Sequence, residues 1–355
     1  RERPHPDKFA LELGTSLRQR AKQGQDGPYW ISRHPLAMGV DAGDWNTGSA
    51  GVVMGLTALE GVSSSFETRS FLHLAALALG HYQPLPGDPV GLYVGAAGRA
   101  VALLRAGLAL DQQTIVQTGE ELIESLDLHA TDSPDLFNGQ AGLLRAQLEF
   151  HLATGKAGYL DAARRLGQQL LRSCIRDEHG ARWSVPPGHA ALSGQVYLGY
   201  AHGAAGIGDV LLDLWKMTGD AELAECIGSV ITLHESSARQ VGPGGNGLNW
   251  PSQFGGESLA AAYWCHGAAG ITQFLLRVHA AGLDSRAKHL ALGGLVATSA
   301  TARWARPTLC HGLAGAIDTL LDGFRTLEDE SWRRDAEDLH LLLESFVTEG
   351  AGLIE

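Results

Sequence analysis

The chain has 355 residues, 45% of them hydrophobic and 19% charged, a composition that can bury a large core and excludes a disordered polymer. Asp and Glu total 39 against 27 Lys and Arg, a formal charge of −12. With no Lys/Arg-rich run, that charge argues against a nucleic-acid partner.

The chain opens on Arg1-Glu-Arg-Pro-His-Pro-Asp-Lys8, a polar start without Met and without the apolar core of a signal peptide. No stretch approaches the ~18 uninterrupted apolar residues of a membrane span, so no span is expected. Four cysteines in so long a chain do not make a disulfide-stapled secreted scaffold. The expectation is a cytoplasmic piece of a longer protein, forming a single domain over residues 1–355.

The 46 glycines exceed the usual ~7% share, and many fall in a repeat. Gly-x-x-Gly occurs at Gly48–Gly51, Gly95–Gly98, Gly139–Gly142, Gly203–Gly206, Gly267–Gly270 and Gly312–Gly315, with Ala before the second glycine each time. Each pair opens an apolar run of helical period, such as Ile207-Gly-Asp-Val-Leu-Leu-Asp-Leu-Trp215, and more amphipathic helices such as Tyr159–Leu171 lie between. Cys174 and Cys226 fall in helical apolar patterns and read as buried core thiols. The turn-rich segments 177–194 and 240–256 read as loops. Gly350-Ala-Gly352 is expected to begin a seventh unit.

Helical hairpins that cannot bury their faces alone must stack. Six or seven of them closing on each other give the predicted fold class, an all-α α/α toroid with its inner helices starting at one mouth; the other arrangement is an open solenoid. The glycines are expected to let neighbouring inner helices approach closely.

Equivalent units place the residues before each glycine pair at equivalent positions. These are Trp45-Asn46-Thr47, Tyr93-Val94, Asp135-Leu-Phe-Asn138, Ala201-His202, Trp264-Cys265-His266 and Leu309-Cys310-His311. Two thiolates and one imidazole are the donors that Zn²⁺ prefers, and three protein ligands leave one tetrahedral position open, the mark of a catalytic site. The residues alone leave open whether His266 or His311 completes the set with Cys265 and Cys310.

Tyr263-Trp-Cys-His-Gly-Ala-Ala-Gly270 and Leu309-Cys-His-Gly-Leu-Ala-Gly315 resemble the signatures of the lanthionine synthetase C-like (LanC-like) cyclases. Ala201-His-Gly-Ala-Ala-Gly206 is similar to that family's His-Gly motif, and Pro134-Asp-Leu-Phe-Asn-Gly139 to its Asp-containing motif. The resemblance runs over essentially the whole chain.

It implies an α/α toroid with Zn²⁺ on Cys265, Cys310 and His311. The implied activity is addition of peptide Cys thiols to dehydroalanine or dehydrobutyrine, giving thioether rings. His202 is implied as general acid/base with Asp135 orienting it, and His266 is a further acid/base candidate. Two departures stand out: Ala261 replaces an Arg four residues before the first Cys ligand, and His266 replaces a Tyr after it. Arg303 and Arg306 are candidates to bring a guanidinium to the same mouth.

The implied partners are a dehydrated precursor peptide and fused or associated lyase and kinase domains, since this sequence shows no kinase motif. Two other readings use the same metal: addition of glutathione to dehydrated residues, and a zinc-containing peptide-binding module without turnover. A toroidal glycoside hydrolase would need two carboxylates across the mouth.

Overall fold

The computed structural model describes residues 6–33, 37–84, 88–348 and 352–353. Among them are thirteen α-helices. Helix α1 (Pro6–Arg20) precedes twelve helices that follow one another in sequence as α2 (Ser49–Val62) and α3 (Phe66–Gly80), α4 (Ala96–Leu110) and α5 (Gln113–Ser125), α6 (Gln140–Thr154) and α7 (Ala157–Ser173), α8 (Ala204–Thr218) and α9 (Ala221–Ser237), α10 (Ala268–Ala280) and α11 (Arg286–Thr301), and α12 (Leu313–Leu327) and α13 (Glu330–Glu344). No helix among the described residues is long and apolar enough to cross a membrane. Gly350 and Ala351, where a seventh unit was expected, lie outside the described residues.

The chain divides into two compact units, one of residues 1–132, 137–164 and 348–352, the other of 133–136, 165–347 and 353–355. In the first, α2 packs on α3 and α4, and α4 on α5 and α6. In the second, α8 packs on α9 and α10, α10 on α11 and α12, and α12 on α13. The helices that follow the glycine pairs are the more enclosed. Helix α10 buries every residue from Ala268 to Leu276, whereas α13 buries only Trp332, Ala336, Leu339 and Leu343, one stripe at helical spacing.

The glycines have a more specific cause than close helix packing. None of the six helices after a glycine pair has a side-chain cap at its N-cap glycine. The loop leading in folds back so that its carbonyls serve instead: Ala204 N donates to Tyr197 O at 3.0 Å, Ala205 N to Leu198 O at 3.2 Å, Ser49 N to Ala42 O at 2.8 Å and Leu313 N to Arg306 O at 2.7 Å. These bonds satisfy the helix's first amides. They also press the carbonyl six residues upstream against the glycines of the pairs that begin at Gly48, Gly95, Gly203, Gly267 and Gly312. A Cβ on Gly206 would collide with Tyr200 O, one on Gly267 with Ala261 O, and one on Gly312 with Arg306 O. On Gly270 it would meet both Trp264 O and, at 2.7 Å, Tyr200 Cβ of the preceding unit's loop.

Gly270→Ala therefore forces main chain apart, and should cost about 3 kcal/mol or more, the upper end of overpacking losses. Urea unfolding measures it; an unchanged midpoint would show that the loop yields.

The two long connections are not plain loops. Antiparallel hairpins β3 (Ile175–Asp177) with β4 (Gly180–Arg182) and β5 (Arg239–Val241) with β6 (Gly247–Asn249) occupy them. Two-residue strands β1 (Lys22–Gln23), β2 (Pro28–Tyr29), β7 (Val347–Thr348) and β8 (Gly352–Leu353) are the others among the described residues. Strands of two or three residues are too short to leave a readable alternation. The first hairpin turns through Gly180 at φ 107°, a conformation that glycine adopts without strain. A forked Arg182–Asp177 pair, at 2.7 and 2.6 Å, closes it. Helix α7 stops at Ser173, so Cys174 lies beyond it and is half-buried; of these two cysteines Cys226 alone is a core thiol.

Candidate metal centre

The glycine loops are joined through the residue two places before each first glycine. In the first unit Asn46 N donates to Tyr93 O at 2.8 Å and Tyr93 N to Phe137 O at 3.1 Å. In the second Ala201 N donates to Cys265 O at 2.9 Å and Cys265 N to Cys310 O at 3.4 Å. Main-chain bonds thus carry the repeat register from loop to loop, and the side chains at these positions converge as a consequence.

The residue before each of Ala201 and Cys265 is anchored into its own helix. Tyr200 hydroxyl donates to Asp209 and Trp264 Nε1 to Gln273 Oε1, the latter at 2.7 Å. The two rings lie 4.9 Å apart. Asp209, fully buried, also receives Arg277, which reaches Asp213 as well. Gln273 in turn donates to Asp318 at 2.8 Å and Asp322 at 3.1 Å, so α8, α10 and α12 share one polar lattice beneath the loops.

On this frame Cys265, Cys310 and His311 bring one ligand atom each within 4.8 Å of one another. Cys265 Sγ and His311 Nε2 are 3.3 Å apart. Tetrahedral Zn²⁺ with bonds of ~2.3 Å to sulfur and ~2.0 Å to nitrogen sets ligand atoms about 3.5 Å apart, so the donor set fits that ion. Cys265 is buried, Cys310 half-buried and His311 exposed, which leaves one side of the triad open.

The Cys310 thiol is pulled down to about 5, first by its interaction with Cys265 and then by His311. Cys265 retains its proton and is pushed up, by its interaction with Cys310 and by burial. His311 is raised by its interaction with Cys310. One thiolate is therefore favoured in the triad at neutral pH, as a soft cation requires.

Beside the triad, His202 Nδ1 meets Asp135 Oδ2 at 2.9 Å. Asp135 is fully buried and also accepts from Ser133 Oγ at 3.3 Å. His202 lies close enough for its charge to act on Cys310. His266 stacks on His202 at 5.7 Å and packs against Tyr197 at 5.5 Å. Its Nδ1 is buried without a hydrogen-bond partner among the described residues. Burial first, then the charges of His202 and His311, push its pKa down to about 4, so the ring is neutral at physiological pH.

All six residues singled out in the sequence thus gather in the second unit. Three others come with them: Ser133, Tyr197, and Tyr263, whose ring stands edge-on to His311 at 5.1 Å. Arg303 goes elsewhere, lying 3.7 Å from Asp338, because the turn after α11 aims it at α13. Arg306 is exposed and contributes its carbonyl to the start of α12.

A family model described as lanthionine synthetase C-like protein matches residues 39–353. The chain belongs to the LanC-like family. Among curated proteins none matches by sequence. Among solved structures, nisin cyclase is similar over 87% of this chain and 84% of its own, at TM-score 0.63 and 18% identity. A Bacteroides thetaiotaomicron mannosidase of glycoside hydrolase family 76 matches 86% of this chain and 88% of its own, at TM-score 0.53 and 11% identity. An α-1,6-mannanase of Salegentibacter sp. matches 95% and 98%, at TM-score 0.52 and 12% identity. At these identities the likeness is one of fold, and with the thirteen helices it bears out the all-α toroid class expected from the repeat.

Proposed function

We propose that this chain is a zinc-dependent lanthionine and methyllanthionine cyclase, acting in the cytoplasm on a dehydrated precursor peptide. The observation that carries the reading is the Cys265–Cys310–His311 triad, open on one side, next to an Asp135–His202 pair. Both family membership and the nisin cyclase fold support it. The family model runs through both compact units, which favours one catalytic domain. Phosphorylation and elimination, which create the dehydrated residues, fall to fused or associated kinase and lyase domains.

Cys265 Sγ, Cys310 Sγ and a ring nitrogen of His311 would hold Zn²⁺, which when bound supplies a Lewis-acidic position that favours the thiolate form of a peptide cysteine. Asp135 accepts from Nδ1 of His202, which fixes the ring's tautomer and leaves Nε2 to handle the proton. His202 Nε2 takes the proton of the incoming thiol. The sulfur bonds to the β-carbon of the dehydro residue and the double-bond pair moves toward the carbonyl. His202 then returns a proton to the α-carbon, so the thiol's hydrogen ends on carbon and the enzyme is unchanged. Neutral His266, stacked on His202, offers one N–H to the developing enolate oxygen where Ala261 cannot. Tyr197 packs against both rings.

The likeness to mannan-degrading enzymes supports no hydrolytic reading. Glycoside hydrolysis uses a pair of carboxylates, and of the residues gathered here Asp135 alone is one, already engaged with His202.

The deciding experiment incubates the chain with a dehydrated, Cys-containing peptide and then caps free thiols with maleimide. Loss of capping without change in peptide mass is the expected result. Full capping with metal bound would instead point to a peptide-binding module, and a mass gain when glutathione is added would point to intermolecular addition.

A further inference from the structure

A second pair of thiols meets in the same unit, outside the triad. Cys174 follows α7 and leads into β3, and Cys226 sits in the second turn of α9. The β3–β4 hairpin lies directly on α9: a Cβ on Gly180 would strike the main chain of Ser229 and Leu233. That seating brings Arg176 of β3 to 3.9 Å from Glu222, one turn before Cys226. Both cysteines are free, Cys226 fully buried and Cys174 partly exposed. Cys174 Sγ lies 3.6 Å from Ile175 O. The two thiols lie close enough to act on each other's protonation, and Arg176 acts on both. Arg182, held by Asp177, adds a second guanidinium whose charge is felt at Cys174.

A core cysteine that merely fills space has apolar neighbours, and Cys226 alone would be read so. A half-exposed thiol beside a buried one, with a guanidinium across both, is the surrounding of a reactive cysteine. We propose that Cys174 and Cys226 form a peroxide-reactive dithiol site, with Cys174 as the attacking thiolate and Cys226 as the thiol that resolves it to a disulfide.

In the first step the Cys174 sulfur attacks one oxygen of hydrogen peroxide and the O–O bond breaks. Cys174 becomes a sulfenic acid, and the hydroxide released takes a proton to become water. In the second the Cys226 sulfur attacks the Cys174 sulfur. The S–S bond forms, the S–O bond breaks, and the departing hydroxide leaves as water with the Cys226 proton. Two thiols lose two electrons and one peroxide gains them.

The Cys174 thiol is held at about 7, first by Cys226 and then by Arg176, so roughly half is thiolate at neutral pH against a few per cent for an ordinary cysteine. The disulfide would tie the end of α7 and its hairpin to α9. That helix also carries His234, whose Nε2 meets Leu198 O at 3.0 Å in the loop leading to His202.

The test treats the full chain, as isolated, with about one equivalent of hydrogen peroxide at pH 7 and maps peptides without reduction. A linked peptide joining Cys174 to Cys226, lighter by two hydrogens and released by dithiothreitol, is the expected product. In Cys226→Ala, which keeps a small apolar group in the core, Cys174 should stop as a sulfenic acid that dimedone traps. Arg176→Gln should slow alkylation of Cys174 at pH 7 by about three-fold or more and move its pH profile upward. Over-oxidation of Cys174 with no linked peptide, or an inert Cys174 in the unaltered chain, overturns the proposal.

Discussion

Cys310→Ala is expected to lower bound zinc from one equivalent per chain to near none, and to abolish thiol capping protection in the peptide assay. Replacing a residue that only supports a metal ligand costs about 10–100-fold in affinity, so removal of a thiolate ligand should cost more than 100-fold. Folding should survive. The bond that fixes the loop runs from Cys265 N to Cys310 O, main chain to main chain, and does not involve the deleted sulfur. Cys265→Ala should behave alike, while Cys174→Ala, outside the triad, should retain full zinc. Metal analysis after gel filtration, with far-ultraviolet circular dichroism as the folding control, measures this. One equivalent of zinc retained in Cys310→Ala would remove the metal centre as the basis of function.

Much of this site was legible in the sequence because one backbone device repeats. In five of the six pairs the glycines are required by carbonyls folded onto a helix start, so the pairs stay recognisable where other residues diverge. Once the pairs are aligned, Ala201, Cys265 and Cys310 fall in equivalent places, and equivalence in a repeat means neighbourhood in space. The choice of His311 over His266 had a different source. Both follow a cysteine, and residue pattern alone did not separate them; the family resemblance did. In the structure the rings diverge, with His311 Nε2 at Cys265 Sγ and His266 stacked on His202.

The repeat puts the segment 135–138 at the mouth, but Asp135 lies four places before its glycine, out of step with the histidines, so its pairing with His202 came from the family resemblance alone. Ser133 and Tyr197 left no signal, since a serine or tyrosine in a loop is ordinary. Tyr263 had one signal, its place two residues before Cys265 in the same motif. Cys174 falls outside α7 although Leu170, Leu171 and Ile175 carry the apolar pattern past its end, and a three-residue strand, Ile175–Asp177, leaves no alternation to mark the change.

Asp135→Asn is expected to lower the turnover of cyclisation by about 10²–10⁴-fold, the usual range for a positioned acid–base group, while leaving bound zinc at one equivalent. The carboxylate does two things that an amide cannot do together: it accepts from His202 Nδ1 in the resting state and stabilises the imidazolium that forms when Nε2 takes the thiol proton. Asn presents either an oxygen that lacks the charge or an NH₂ that opposes Nδ1–H and selects the wrong tautomer. The loss should appear in turnover and leave peptide affinity within about two-fold, because fully buried Asp135 offers the peptide no surface.

Ser133→Ala removes one of the bonds to that carboxylate and should cost about ten-fold, in line with a hydrogen bond to a charged group. His202→Gln should match the Asp135→Asn loss, and the double variant should cost little more than either alone, since the two side chains act as one unit. A full additive loss in the double variant would mean that Asp135 works through a partner other than His202. Unimpaired cyclisation in Asp135→Asn would assign the proton transfer to another group, with His266 the nearest candidate.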